Sequence, residues 1–426
     1  MKMVTAILGL ESSFFSASSV IFAGSFVVNV LNYIFTLVMS RLMEVEAFGE
    51  VAALLSLFLV ITVPATAVAM LMSREAAFRT VAGDSSVRDL FLYLQRHVLL
   101  AAFFCWLVFL GVLPLLSELL HIPYLPFLVF SALVPLTLIG ALQSGTLQGL
   151  QEFFMLSKQG VLATLVKLVA AIALVLAGLS VFGVMVALVL ASCAGLVYGY
   201  FATRRVLGIE EGMPRPSLDG REVRALFSSI FFTTLLVALL SNVDVLLAKH
   251  YLSPELAGHY GALSSVGKIL IYGVGAFVTV LLPLASAARA RGSGAERSVL
   301  ALSLSAIAAA SFSAWALFSL YPSLVVSMLF GARYLDIAPY LGTFTIAMGS
   351  IALSLALINY FVAVRNTSFM YALALGIVAE VVLIVGSHDS LAAITEMLVI
   401  ASLSLLVLLG LNYFFTQTRA SMSNRV

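Results

Sequence analysis

EAFGEVAALLS (Glu46–Ser56) returns 209 residues later, without a gap, as ELAGHYGALSS (Glu255–Ser265). Glu46/Glu255, Gly49/Gly258, Ala53/Ala262, Leu54/Leu263 and Ser56/Ser265 are identical. Alanine and leucine matches are cheap in so apolar a chain. The glutamate and glycine matches are worth more, and the offset is close to half of the 426 residues. Each copy stands just before, or at the start of, a long apolar run. The chain therefore reads as two tandem copies of one helical unit.

Composition fixes the class. Hydrophobic residues make up 62% of the chain and charged residues only 10%, against about half and about a quarter in a soluble domain. A span needs about 20 apolar residues. Twelve such runs occur, at 18–40, 50–72, 97–116, 127–149, 160–179, 183–202, 226–248, 256–284, 299–320, 339–362, 367–386 and 391–414. The loops on one side carry seventeen lysines and arginines, from Lys2 through the Arg74–Arg96 and Arg204–Arg224 groups to Arg425. The other side holds three, Arg41, Lys249 and Arg333. Positive residues stay cytoplasmic, so both termini are expected in the cytoplasm. The net charge of +2 gives no argument for a nucleic-acid partner.

The fold class expected is an all-α polytopic membrane protein, with about 12 helices in two six-helix lobes related by a parallel pseudo-two-fold repeat. The longest polar connection, TRRVLGIEEGMPRPSLDGREVRA (Thr203–Ala225), is rich in Gly and Pro and lies mid-chain. It divides the chain into an N-terminal lobe (1–202), a cytoplasmic linker (203–225) and a C-terminal lobe (226–426). The first residues lack a small-residue cleavage site and run on into the first span, so no cleavable signal is read there. Cys105 and Cys193 fall inside spans, which argues against a disulfide framework. The five histidines show neither i,i+4 pairing nor a neighbouring cysteine, so no metal site and no cofactor is indicated. No nucleophile elbow or catalytic carboxylate pair is present, and the expectation is a protein that is not an enzyme.

SPEL (Ser253–Leu256) starts a helix, with Ser253 as N-cap, Pro254 at N1 and Glu255 in the first turn. That start places Lys268 about 21 Å along the helix, near the middle of a bilayer. A charge there costs about 2.5–3.5 kcal/mol on insertion scales and usually faces a cavity or a partner. Pairing with Asp244 across the hairpin is the structural alternative. Asp244, a turn below the outer end of its span, could face outer water or pair with Lys249. Lys167, seven residues into its apolar run, could snorkel to the cytoplasmic side. Glu380 and Glu396 lie near outer ends, where solvation is the simpler explanation. Asn29 and Asn32 share one face of the first span, as interhelical bonding or substrate contact would each require; Gln143 and Gln148 are similar. Pro64, Pro135 and Pro283 suggest kinks.

SRLMEVEAFGEVAALLSLFLV after span 1, TLQGLQEFF at the end of span 4 and NVDVLLAKHYLSPELAGHYGAL across spans 7 and 8 resemble polysaccharide-biosynthesis flippases. These belong to the multidrug/oligosaccharidyl-lipid/polysaccharide exporter (MOP) superfamily. The resemblance covers most of the chain. It implies translocation of a polyprenyl-pyrophosphate-linked glycan across the cytoplasmic membrane by alternating access. Membrane lipids, an H+ or Na+ gradient and glycan-assembly proteins are the partners it implies. It further implies a polar, cationic cavity in which Lys268 carries the charge for the headgroup, with Asp244, Lys167, Asn29 and Asn32 as further polar groups. Arg41 and Lys249 would line the outer mouth, and Asp244 and Glu380 would be the candidates for ion coupling. Span 1 has neither the internal arginine of peptidoglycan-precursor flippases nor the acid of proton-coupled drug exporters, and both departures favour the polysaccharide branch.

Two other readings compete. A MATE-type drug or organic-cation antiporter on the same fold draws support from Asp244, Glu380 and Glu396. A membrane glycan polymerase or ligase needs a large outer loop with catalytic Arg or His residues, and YPSLVVSMLFGARYLDIAP is short with one arginine. The charge asymmetry is testable directly. With Cys105 and Cys193 replaced, a cysteine at Ser217 should resist an impermeant thiol reagent in intact cells. Labelling there would reverse the orientation.

Overall fold

The computed structural model describes residues 12–81, 87–208, 220–290, 296–364 and 366–423. Lys2, Arg215, Arg291, Arg365, Arg425 and most of the 203–225 linker, with Ser217, lie outside the described residues. The rest is helical: α1 (Ser12–Leu42), α2 (Val45–Ile61), α3 (Val63–Val81), α4 (Val87–Leu120), α5 (Tyr124–Ser131), α6 (Leu133–Gly149), α7 (Phe153–Leu176), α8 (Ser180–Leu207), α9 (Gly220–Leu240), α10 (Val243–Tyr251), α11 (Pro254–Ala290), α12 (Glu296–Leu320), α13 (Pro322–Leu329), a 3-10 helix (Ala332–Tyr340), α14 (Leu341–Ala363), α15 (Phe369–Gly386) and α16 (Leu391–Ser423). In an apolar solvent every backbone group must be satisfied within its own segment, which leaves helix as the open-chain solution.

Each apolar run falls on one helix or on two helices joined at a break. Among the described residues nine helical stretches are long and apolar enough to cross a membrane, or eleven if each bent pair is one span. Pro64 and Pro135 each follow a break closely, at Thr62 and Ala132. A proline lacks the N–H that would bond four residues back and clashes with that carbonyl, so the helix restarts there. The break between α9 and α10 bends the chain by 46° at Ser241–Asn242 with no proline. There the side chains bond backward instead, Ser241 Oγ to Val237 O at 3.0 Å and Asn242 Nδ2 to Ala238 O at 2.9 Å.

The chain forms two compact units, one of residues 1–42 and 61–234, the other of 43–60 and 235–426. In the first unit α6 crosses α3 through Gly145 and Gly149. A Cβ on either would stand 2.4 Å from Ala69 O or 2.5 Å from Ser73 O, so the backbones nearly touch. This is the small-xxx-small geometry of membrane helices, in which van der Waals contact replaces the hydrophobic effect. In the second unit α14 is buried over most of its length between Leu341 and Phe361, with Thr343 and Ile346 exposed. A helix covered on most of its faces belongs near the centre of its bundle.

The second unit also holds both copies of the repeated stretch, on α2 and α11. A Cβ on Gly49 would lie 2.8 Å from Gly258 Cα, and one on Gly261 would lie 2.7 Å from Ala52 Cβ. Both contacts join residues exactly one repeat offset apart. A residue that touches its own equivalent lies where the repeat turns on itself, so the glycine match in the sequence marks the crossing point. Gly258 has the least room, because an added Cβ would meet Val45 O at 2.1 Å. Gly258→Ala should therefore lower stability by about 1–3 kcal/mol through overpacking. Gly111, with nothing within 4 Å of an added Cβ, is the control. Gly111→Ala should leave thermal unfolding in detergent unchanged or raised, since alanine favours helix by about 1 kcal/mol. Equal melting of the two variants would dissolve the claimed crossing.

Candidate functional site

The break at Ser241–Asn242 builds the site in the second unit. Asn242 is the N-cap residue of α10. Its amide nitrogen ties back to α9, and its Oδ1 accepts a 3.1 Å bond from Lys268 Nζ on α11. Lys268 stands fourteen residues beyond Pro254, about 21 Å along the helix. Asp244 follows in the first turn of α10, where the helix dipole favours a negative charge. Its side chain is 2% exposed, and Oδ2 accepts a 2.9 Å bond from the Tyr260 hydroxyl. Lys268 lies in the field of both Asp244 and Glu380, and so does Tyr260. Glu380 on α15 is 1% exposed. Asp244 Oδ1, Glu380 Oε1 and Ser264 Oγ are buried without a hydrogen-bond partner. Tyr260, Ser264 and Lys268 recur every fourth residue, on one face of α11.

Two simpler expectations do not survive this geometry. Asp244 does not face outer water, because it is 2% exposed and bonded to Tyr260 of α11. Glu380 is likewise enclosed rather than solvated. Glu396 alone of the three acids is exposed. Lys268 bonds to Asn242 and not to Asp244, so the carboxylate acts on it through the field alone.

The first unit holds a second embedded lysine. α7 begins at Phe153, seven residues before the apolar run, so Lys167 stands fourteen residues into its helix. That is about 21 Å of rise from the helix start, and nine residues beyond Lys158, the last charged position before it. Its ammonium donates to Asn32 Oδ1 on α1 and sits 4.3 Å from the centre of the Phe35 ring. Burial is the one influence on Lys167, with no carboxylate beside it among the described residues. Asn29, one turn earlier on α1, is exposed and stands apart from this contact. Arg41 is exposed in the last turn of α1, where a cation suits the dipole. Lys249 is 4% exposed and lies in the fields of Glu50 and Glu46.

Asn242 and Tyr260 were not singled out from the sequence. A signal for Asn242 exists. It lies 210 residues after Asn32, one residue out of register with the repeat, and so directly follows Ser241, the equivalent of Asn32 in span 7. Each asparagine accepts the bond of an embedded lysine. Nothing comparable marks Tyr260 beyond its register with Lys268. Among the described residues no group of three or more His, Cys, Asp or Glu could hold a metal ion.

Solved structures share the fold at low identity. A multidrug-resistance MATE family transporter of the MOP superfamily, in an inward-facing conformation, matches with a TM-score of 0.77 at 13% identity, over 94% of this chain and 96% of that one. The lipid II flippase MurJ, in an inward closed conformation, matches with a TM-score of 0.68 at 12% identity, over 92% of this chain and 87% of its own. A MOP superfamily transporter from Pyrococcus furiosus, whose binding pocket is described as of reverse polarity, matches at 0.67 with 13% identity, over 94% and 93%. No curated protein matches the chain by sequence. The sequence profile of the polysaccharide biosynthesis protein family matches residues 38–339, well over half of the chain. The chain is therefore a multi-pass membrane protein of the polysaccharide biosynthesis protein family, with the fold of MOP-superfamily transporters.

Proposed function

We propose that the chain exports a polyprenyl-pyrophosphate-linked oligosaccharide across the cytoplasmic membrane, for surface polysaccharide assembly. It would do so by alternating access of two lobes, set by the sequence at 1–202 and 226–426 about the 203–225 linker, with residues 43–60 packed in the C-terminal unit, and driven by an ion gradient. The observation that carries the cargo class is Lys167. It is a half-buried cation held by an amide oxygen and a ring face, with no carboxylate among the described residues to cancel its charge. An amide holds an ammonium in place and leaves its positive charge available to an anion. A pyrophosphate stripped of water needs such charge, and lysine offers it as a compact point with three donors on a flexible stem.

Lys268 is differently placed. Two carboxylates already act on it, so its positive charge is compensated. It fits an ion-coupling element with Asp244 and Glu380 better than a headgroup clamp. Arg41 and Lys249 remain candidates for guiding the cargo at the outer ends of their spans. A second reading, a MATE-type drug or organic-cation antiporter, is favoured by one feature. In the second unit the two buried acids outnumber the lysine beside them, which suits a cationic cargo.

Complementation separates the readings. In a strain lacking its own glycan flippase the chain should restore export, and Lys167→Ala should reduce it. A charge-assisted bond contributes about 1.5–3 kcal/mol, so the loss should be about ten- to a hundredfold at matched membrane levels. Lys167→Arg should keep part of the activity. Full export by Lys167→Ala would remove the headgroup role. Resistance to cationic drugs conferred by the chain, without glycan export, would establish the antiporter instead.

A further inference from the structure

The identity of the coupling ion follows from the second-unit cluster, on the reading that the chain is a gradient-driven exporter. We infer that the ion is a proton, taken up by the Asp244–Glu380 carboxylates, and that Lys268 is a built-in cation that keeps sodium from the same place. With every group ionised the cluster carries two negative charges and one positive, so it lacks one positive charge. Either a proton or a metal cation could supply that charge. The two differ in what they require of the surroundings.

A metal cation needs several oxygens converging on one point, with no other cation among them. One neutral oxygen of the cluster, Asn242 Oδ1, already accepts the Lys268 ammonium at 3.1 Å. The Tyr260 hydroxyl gives its proton to Asp244 Oδ2, and Ser264 Oγ is buried without a partner, so oxygens are present and the obstacle to sodium is the ammonium among them. Sodium would therefore have to displace an ammonium tethered to the chain, at a site where like charges repel. A proton needs a single lone pair. Glu380 Oε1 supplies one, buried and without any donor, and an ionised carboxylate so placed is costly. The proton binds to that oxygen and leaves from it, no other bond changes, and Lys268 stays an ammonium throughout.

The set of charges is closed. The elements around the cluster also carry Lys249 and His250 on α10, Glu255 and His259 on α11, Tyr360 on α14, Tyr371 on α15, and Glu396 and Tyr413 on α16. Among the described residues the charges that act on Asp244, Lys268 and Glu380 are one another's, and Asp244 has in addition the Tyr260 hydroxyl and backbone donors of its own turn. Protonation of Glu380 thus leaves Lys268 with Asp244 as its remaining counter-charge, which loosens the ammonium from α15. That change links ion occupancy to the packing of α10, α11 and α15.

The test uses purified full-length protein in detergent, without cargo, so its result does not depend on what is exported. Thermal unfolding is followed while pH is varied, and separately while sodium replaces choline at constant ionic strength. Wild type should lose stability as pH rises, because the folded chain holds a proton that unfolded carboxylates release. Glu380→Gln should reduce that slope by about one proton. Sodium should not shift wild type. Lys268→Met, with the ammonium gone and both carboxylates left, should gain sodium-dependent stabilisation, binding about tenfold or more tighter than wild type. A sodium-induced rise in wild type that Glu380→Gln removes would overturn the inference, even if Lys268→Met cannot be purified. An unchanged pH slope in both Glu380→Gln and Asp244→Asn would overturn it too, as would sodium indifference of a folded Lys268→Met. Failure of glycan complementation alone would strike the cargo reading and leave these measurements standing.

Discussion

A charge inside an apolar helix bundle must find its polar partners within the protein, because the surrounding hydrocarbon offers none. In the second unit that constraint is met by the bond from Lys268 to Asn242. The bond depends on the break between α9 and α10. Asn242 stands at the N-cap of α10, so its side chain can serve the end of α9 with its nitrogen and Lys268 with its oxygen. The same break puts Asp244 in a first helical turn, within reach of the Tyr260 hydroxyl. One interruption of a span thus creates an acceptor for the lysine and a stabilised place for the acid. Broken helices near the membrane middle are where transporters build sites for charged ligands.

The helix crossings bring these groups together. Membrane helices gain little from apolar burial against one another, so close backbone approach must hold them. Gly49 and Gly258 let α2 and α11 meet backbone to backbone, and Gly267 leaves room for the Phe344 ring between α11 and α14. The lysine face of α11 is thereby fixed against its neighbours. The glycines set the frame on which the charges depend, although none of them carries chemistry.

Much of the fold was legible because its signals are one-dimensional. Apolar runs mark spans, the repeat marks the doubling, and prolines at 64 and 135 mark breaks. The site was legible only in part. Lys268 and Asp244 stand out because charge is rare in such a sequence, but their partner Asn242 looks ordinary until a fold brings α11 beside it. The break at Ser241–Asn242 has no proline to announce it. For Lys167 the two measures differ, since the apolar run begins at residue 160 while the helix begins at Phe153. Polar residues such as Ser157, Lys158 and Gln159 hide the first turns of α7 from an apolar count. For Asp244 and Glu380 outer solvation was the simpler expectation beside ion coupling; α15 ends at Gly386, where its apolar run ends, so it is packing and not helix length that encloses Glu380.

Two lysines that are not equivalents in the repeat share one kind of partner. Asn32 and Asn242 lie one residue out of register between the two copies, and each offers an amide oxygen to an ammonium. The copies then diverge. Around Lys268 the chain places Asp244, Glu380 and Tyr260, while around Lys167 it places an aromatic ring and no acid. The first arrangement holds a charge within a balanced set that one more positive charge would complete. The second leaves a cation unbalanced, so its most favourable partner is an anion from outside the chain.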